Sequence, residues 1–287
     1  SQIYRHHLFT KQLFTFQTYQ QALLWLLISI NIIYLLKTFL WYYQKKILYQ
    51  IEKLPEYFYS IQKGIKDIYL LHTSTQKKMI LGLLGGLLIH QIYMYYEIFV
   101  AMDEAFSWLY FASQGAEVTM THYPVPNNHV FYNLCSGFWN LLIPDDILAM
   151  RMTSLLSFWI LCVVSYLYLY RKTNFSTAYM SIMIMGLGFS QSVFSVQARG
   201  YMLCTFFIVI ALFCLFEYLE KRQLPYIYIF TISCILGFYT IPVFLFAMVA
   251  FYGYLLWQFL RKKHRDVFQT FFIVGLLVVS CVYLLYL

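Results

Sequence analysis

The sequence predicts an all-α protein, a polytopic transmembrane helical bundle. Three observations predict it. The 287 residues are 61% hydrophobic and only 11% charged, whereas a soluble domain carries about 25% charged residues. Apolar runs of the length that crosses a bilayer, about 20 residues, recur along the chain. Between the runs, basic clusters alternate with acidic or neutral segments, the charge asymmetry that orients membrane proteins. The asymmetry is sharpest between Lys78 and Arg151, where no lysine or arginine occurs but half of the acidic residues lie: Glu97, Asp103, Glu104, Glu117, Asp145 and Asp146.

Residues 1–43 form an N-terminal apolar segment whose first candidate span is 22–43, interrupted by Lys37. Residues 44–78 carry seven lysines and three acids among scattered Ile, Leu, Tyr and Phe. That spacing suits amphipathic helices on the cytoplasmic face, with the lysines snorkelling and breaks at Pro55 and Gly64. Residues 79–287 form the main transmembrane domain. Its spans are expected at 79–102, 152–170, 176–196, 202–218, 226–239 and 243–260, with another beginning near Val267. Basic clusters at 44–78, 171–172, 221–222 and 261–265 then share one side. The outer loop 103–150 and the turns 197–201 and 240–242 share the other. The six cysteines read as small apolar residues, not as a disulfide or metal framework. No internal repeat and no signal peptide with a cleavage site is visible. The net charge of +8 is spread over inter-span loops and so does not imply a nucleic-acid partner.

Asp103 and Glu104 follow the second span in AMDEAF. A carboxylate there is expected to be partly desolvated and hence a better base near neutrality. An acid pair in the headgroup region is the alternative. Residues 115–133 contain His122, Pro124, Pro126, Asn127, Asn128 and His129. Prolines break helix, and Asn and His supply donors and acceptors. Asn128 and His129 suit a hard cation, a hydroxylated substrate or an Asx-turn capping the next helix. Arg151 and Arg199 are the basic residues expected on the acidic side beyond the first span. An arginine fork suits phosphate. Arg199 lies in SVQARGYML, where Gly200 permits close backbone approach and Tyr201 adds a hydroxyl. Arg151 suits interfacial anchoring or pairing with Asp145 or Asp146. Those two acids read as a turn and helix N-cap. Gly82, Gly85 and Gly86 are expected to serve close helix packing, and His90 to be a satisfied core residue.

An acidic pair ending a span, a long outer loop with Pro-Asn-Asn-His, and Arg-Gly-Tyr opening a later span resemble the polytopic GT-C glycosyltransferases. They resemble in particular the bacterial relatives of protein O-mannosyltransferases and of the aminoarabinose transferase acting on lipid A. The likeness covers roughly residues 79–260. The family often carries His-Pro in this loop; here the run is Asn127-Asn128-His129-Val130, so His129 alone carries over. The family's C-terminal soluble domain is not visible.

The resemblance implies a polyprenyl-phosphate-linked sugar donor, an acceptor hydroxyl and inversion at the anomeric carbon. Asp103 would be the base, with Glu104 and His129 orienting acceptor or sugar. Arg199, with Arg151 or a divalent cation (Mg or Mn), would hold the leaving phosphate. Membrane lipids are partners, and residues 1–78 offer a surface for a membrane protein. The implied location is the bacterial inner membrane with the site facing the periplasm. A non-catalytic subunit retaining the fold and a transporter of lipid-linked substrates are the competing classes. Charges at span ends, not at the midplane, argue against transport.

Overall fold

The computed structural model describes residues 25–34, 37, 41, 44–45, 48–49, 52–121, 128–261 and 265–285. Among these it is all-helical, with no strand. The chain divides into two compact units, residues 1–55 and 56–287. In the first, the apolar helix Trp25–Tyr34 is described.

From residue 54 onward the helices are numbered here in order. They are α1 (Leu54–Leu71), α2 (Ser74–Glu97), α3 (Met102–Tyr110), α4 (Ala116–Thr121), α5 (Val130–Asn140) and α6 (Asp146–Lys172). Then follow α7 (Phe175–Leu187), α8 (Phe189–Val196), α9 (Tyr201–Lys221), α10 (Leu224–Thr240), α11 (Phe244–Leu260) and α12 (Arg265–Leu285).

Helices α2, α6 and α9 are long and apolar enough to cross a membrane. The expected span 176–196 is two helices, in the manner of a broken span or a re-entrant loop. Helices α7 and α8 meet at Gly188 with a 64° bend, and Ser192 Oγ donates to the Gly186 carbonyl at 3.2 Å. Helices α10 and α11 are apolar but have 17 residues each. At 1.5 Å per residue that is about 26 Å, slightly short of a hydrocarbon core of about 30 Å. Leu81, Ile89, Ile184 and Phe246 are exposed, which suits contact with lipid chains.

Other expectations are corrected. Helix α2 stops at Glu97, so Asp103 does not follow it directly. Residues 98–101 intervene without helix, and Asp103 sits in the first turn of the separate helix α3. Helix α1 runs through Gly64 without a break. Gly64 instead lies against the Arg171 guanidinium, which a methyl group there would strike. Gly82, Gly85 and Gly86 have open space beside them, so they seat no neighbouring helix among the described residues. Close packing falls at Gly186 against Leu87 and at Gly237 against Phe244.

The core has two parts. The larger runs through α9, α10, α11 and α12, around Phe207, Phe230, Phe244 and Phe271. The smaller joins α2, α6, α7 and α9 through Leu87, Phe158, Leu161, Ile182 and Met202.

The two ends of the bundle differ in chemistry. At the basic end, Lys172 reaches Glu217 at 2.7 Å and also pairs with Glu220, while Lys221 reaches Glu217 at 2.5 Å. The Lys172 pairs join the C-terminal turns of α6 and α9, and the Lys221–Glu217 pair lies within α9. His72 is bonded through Nε2 to the Tyr166 hydroxyl at 2.6 Å and stacks on Tyr170, in the last turn of α6. At the acidic end, Glu104 and His129 both touch the 197–200 turn, and Gly200 lies against Thr240. Glu104, His129, the 197–200 turn and Thr240 thus lie together at one end.

Cysteines in place of Lys63 and Glu117 are therefore expected to react from opposite sides of a sealed vesicle. An impermeant thiol reagent, with the unsubstituted protein as blank, checks this. Labelling of both from the same side would overturn the arrangement.

Candidate active site

The site at the acidic end is organised around the turn 197–200, between α8 and α9. Four buried side chains from three helices and one loop bond to its backbone. Ser154 Oγ, on α6, donates to the Gln197 carbonyl at 2.6 Å and lies 3.4 Å from the Arg199 carbonyl. The Tyr132 hydroxyl, on α5, lies 3.4 Å from the Gln197 carbonyl, 2.8 Å from the Met150 carbonyl and 3.0 Å from Ser154 Oγ. Glu104 Oε1, on α3, accepts from the Ala198 N–H. His129 Nδ1, just before α5, accepts from the Gly200 N–H at 2.8 Å. In a low-dielectric interior a satisfied polar network of this kind is stiff.

Glu104 and Arg151 form the floor of this network. Glu104 is fully buried and Arg151 is 1% exposed. Glu104 Oε2 accepts from the Ala101 N–H at 2.8 Å, which caps α3. Arg151 Nη2 lies 3.5 Å from the same oxygen. Its stronger bonds run from Nη1 to the Tyr95 carbonyl at 2.9 Å and from Nη2 to the Ile98 carbonyl at 2.8 Å. Arg151 thus satisfies orphan carbonyls at and just beyond the C-terminus of α2. Its carboxylate partner is Glu104, not Asp145 or Asp146. Asp145 instead caps α6 through the Leu148 N–H at 2.6 Å, the expected role.

Asp103, one residue before Glu104, has the opposite environment. A helix turns about 100° per residue, so neighbouring side chains point apart. Asp103 is 67% exposed, not partly desolvated as expected. Its Oδ2 lies 3.7 Å from Arg199 Nη2, and its carbonyl lies 3.5 Å from Nη1. Arg199 is nine-tenths buried, with its guanidinium 5.7 Å from the centre of the Tyr201 ring. Tyr201 packs edge-on to His129 and tilted against Phe194.

Asn128 is buried and joins two segments. It donates to the Thr119 carbonyl at 2.9 Å and accepts from Asn133 at 2.9 Å. His122, Pro124, Pro126 and Asn127 lie outside the described residues. Below the turn, Glu104, Ser107, Trp108, Tyr132, Asn133 and Ser136 pack too closely to admit a water molecule. No group of three or more His, Cys, Asp or Glu side chains converges as a metal site among the described residues. His90, further along α2, is half-buried and bonded to Ser192 Oγ at 2.9 Å.

The sequence-predicted residues therefore come together, but in two layers. Asp103, Arg199 and Tyr201 form a partly open layer. Glu104, Arg151, Asn128 and His129 form a buried layer beneath it. Tyr132, Ser154 and Ser136 belong to the buried layer and were not foreseen. Their only signal is a set of hydroxyls in apolar runs, such as Thr153-Ser154 and Ser157. No protein-family model, curated protein or solved structure matches this chain.

His129 carries a pH dependence. Burial, reinforced by the Arg199 cation, pushes its pKa down to about 3. The folded protein holds it neutral, with Nδ1 as acceptor. In the unfolded chain a histidine takes up a proton near 6.5. Its contribution to stability is complete above that pH and is lost as pH falls from about 6.5 towards 3. At pH 5 the expected loss is about 2 kcal/mol. The thermal midpoint of the wild type is expected to drop between pH 7 and pH 5 by more than that of His129→Gln. Equal drops would mean that His129 does not titrate this way.

Proposed function

We propose that this protein is a membrane glycosyltransferase that moves a sugar from a polyprenyl-phosphate-linked donor to an acceptor hydroxyl. The reaction inverts the anomeric centre and takes place at the acidic end of the bundle, facing the outside of a bacterial inner membrane. The observation that carries this reading is the pairing of an exposed carboxylate, Asp103, with a rigidly mounted, nine-tenths buried guanidinium, Arg199. In this reading the carboxylate takes a proton and the guanidinium holds a phosphate; their nearness to one another supports it.

In this reading the acceptor hydroxyl gives its proton to Asp103 as its oxygen bonds to the anomeric carbon. The bond from that carbon to the phosphate oxygen breaks, and polyprenyl phosphate leaves with the electron pair. Arg199 meets the negative charge that grows on the leaving phosphate. Glu104, Arg151 and His129 contribute through the fold, by holding the 197–200 turn, and touch no substrate. A divalent cation would add charge at the phosphate.

Arg199→Ala is expected to raise the KM for donor by about tenfold or more, the loss of a charge-assisted phosphate contact. Steady-state kinetics with a polyprenyl-phosphate sugar checks this. An unchanged KM would remove Arg199 from the donor site.

A second reading is a non-catalytic membrane subunit built on the same fold. The waterless packing beneath the 197–200 turn favours it, because a sugar needs space beside the base. The same assay separates the two: a subunit turns over no donor at any concentration.

A further inference from the structure

A cavity of about 430 Å³ opens at the basic end of the bundle, within the roughly 300–1,000 Å³ of small-ligand sites. It lies between the first turn of α2 and the corner from α6 to α7. Gln76, Tyr170, Thr173, Asn174, Phe175 and Ser176 line it. Its wall is held from behind. His72, buried in the corner between α1 and α2, stacks on Tyr170 with 4.5 Å between ring centres and meets Phe175 edge-on. Thr173 Oγ1 donates to the Leu169 carbonyl, and Asn174 Oδ1 accepts from the Thr177 N–H. Three polar groups of the lining residues remain free: Gln76 Nε2, the Ser176 hydroxyl and the Tyr170 hydroxyl bond to no protein atom among the described residues.

Two properties of the surroundings define what fits. The first is charge. Lys77 and Lys78 follow Gln76, Arg171 and Lys172 precede Thr173, and the first turns of α2 and α7 hold no acid. Lys172 is paired with Glu217 and Glu220, whereas no carboxylate pairs with Lys77, Lys78 or Arg171 among the described residues. The second is the change of polarity with depth. Met79 stands one turn deeper than Gln76 on its face of α2, and Met180 and Ile184 stand one and two turns deeper than Ser176 on α7. All three are exposed. A cationic polar mouth above exposed apolar helix faces fits an amphiphile with an anionic head.

We propose that this cavity seats the headgroup of an anionic phospholipid from the leaflet at the basic end. Lys77 and Lys78 attract the phosphate, the free donors of Gln76, Ser176 and Tyr170 meet its oxygens, and the acyl chains lie along the exposed faces of α2 and α7. The site is at the opposite end of α2 from Asp103 and does not depend on the transferase reading.

The test is native mass spectrometry of the full chain in neutral detergent, with phosphatidylglycerol, phosphatidylcholine and glycerol phosphate as separate probes. The wild type is expected to retain phosphatidylglycerol more tightly than phosphatidylcholine, and to retain no glycerol phosphate. Lys77→Gln/Lys78→Gln should weaken phosphatidylglycerol by about tenfold or more, the scale of two cations near an anionic lipid. Ser176→Phe, which fills the mouth, should weaken it too. Arg261→Gln, at the end of α11 against the Trp257 ring, should leave it unchanged. The lysine variant decides the matter if Ser176→Phe does not fold. Equal retention of the two lipids, or wild-type affinity in the lysine variant or in a folded Ser176→Phe, overturns the site. A loss in Arg261→Gln as large as in the lysine variant does the same, because it shows only diffuse attraction. Retention of glycerol phosphate as strongly as of the lipid overturns the lipid assignment.

Discussion

Glu104→Ala is expected to destabilise the protein by about 3–5 kcal/mol, the usual cost of removing one partner of a buried ion pair. Glu104 is fully buried, and its carboxylate accepts from the Ala101 and Ala198 N–H groups while facing Arg151. Alanine would orphan both amides and leave the Arg151 charge buried without a carboxylate. The same substitution would loosen the start of α3 and the turn that carries Arg199. Thermal unfolding of the detergent-solubilised protein measures the effect. Glu104→Gln retains one acceptor oxygen and should cost less. Arg151→Met in the Glu104→Gln background removes the second buried charge but orphans the Tyr95 and Ile98 carbonyls, so it should not restore the wild-type midpoint. A thermal midpoint for Glu104→Ala within a degree of wild type would mean that this pair does not support the turn.

Asp103→Asn is expected to act in the opposite way. Turnover should fall by about 10²–10⁴, the range for losing a general base. The thermal midpoint should stay unchanged, because the side chain is two-thirds exposed and keeps its shape. Two adjacent acids would then divide cleanly, one serving the fold and the other the chemistry. Parallel measurement of initial rate and unfolding temperature checks it. Undiminished turnover would remove Asp103 as the base. Loss of turnover together with loss of stability would place Asp103 in the fold alongside Glu104.

Much of this architecture is legible in the sequence because its signals are collective. The apolar runs that become α2, α6 and α9 are long, and hydropathy averages over many residues. The sorting of segments to two ends follows from charge, which is sparse here and therefore informative. The local breaks are less legible. In IFVAM no polar residue marks the stop of α2 at Glu97, since Ile98 to Ala101 are as apolar as the helix itself. Gly188 does mark the break between α7 and α8, but a single glycine is also tolerated within a span. The glycines of GLLGG promised packing that the described residues do not provide. A motif of small residues specifies a possible close approach, not a neighbour.

The candidate site was legible as a set but not by role. Asp103 and Glu104 look equivalent in AMDEAF, and only the helical turn between them sends one to solvent and the other inward. The partner that fixes Glu104 lies 47 residues away at Arg151, and that at Ala198 lies 94 residues away. Pattern reading along the chain cannot pair residues at such separations. The same distance hid Tyr132 and Ser154. Single hydroxyls in apolar helices are common, and these two gain their meaning only from the carbonyls of the 197–200 turn.

The most direct test of the central claim is a transfer assay with the purified full chain in nanodiscs. A radiolabelled polyprenyl-phosphate sugar is supplied with a membrane lipid extract as acceptor, and released polyprenyl phosphate is measured alongside wild-type, Asp103→Asn and Arg199→Ala proteins. The account predicts release by the wild type, near-complete loss in Asp103→Asn, and a rise in donor KM in Arg199→Ala. Release that is unaffected by both substitutions, or no release from any polyprenyl-linked sugar by a well-folded wild type, would contradict it.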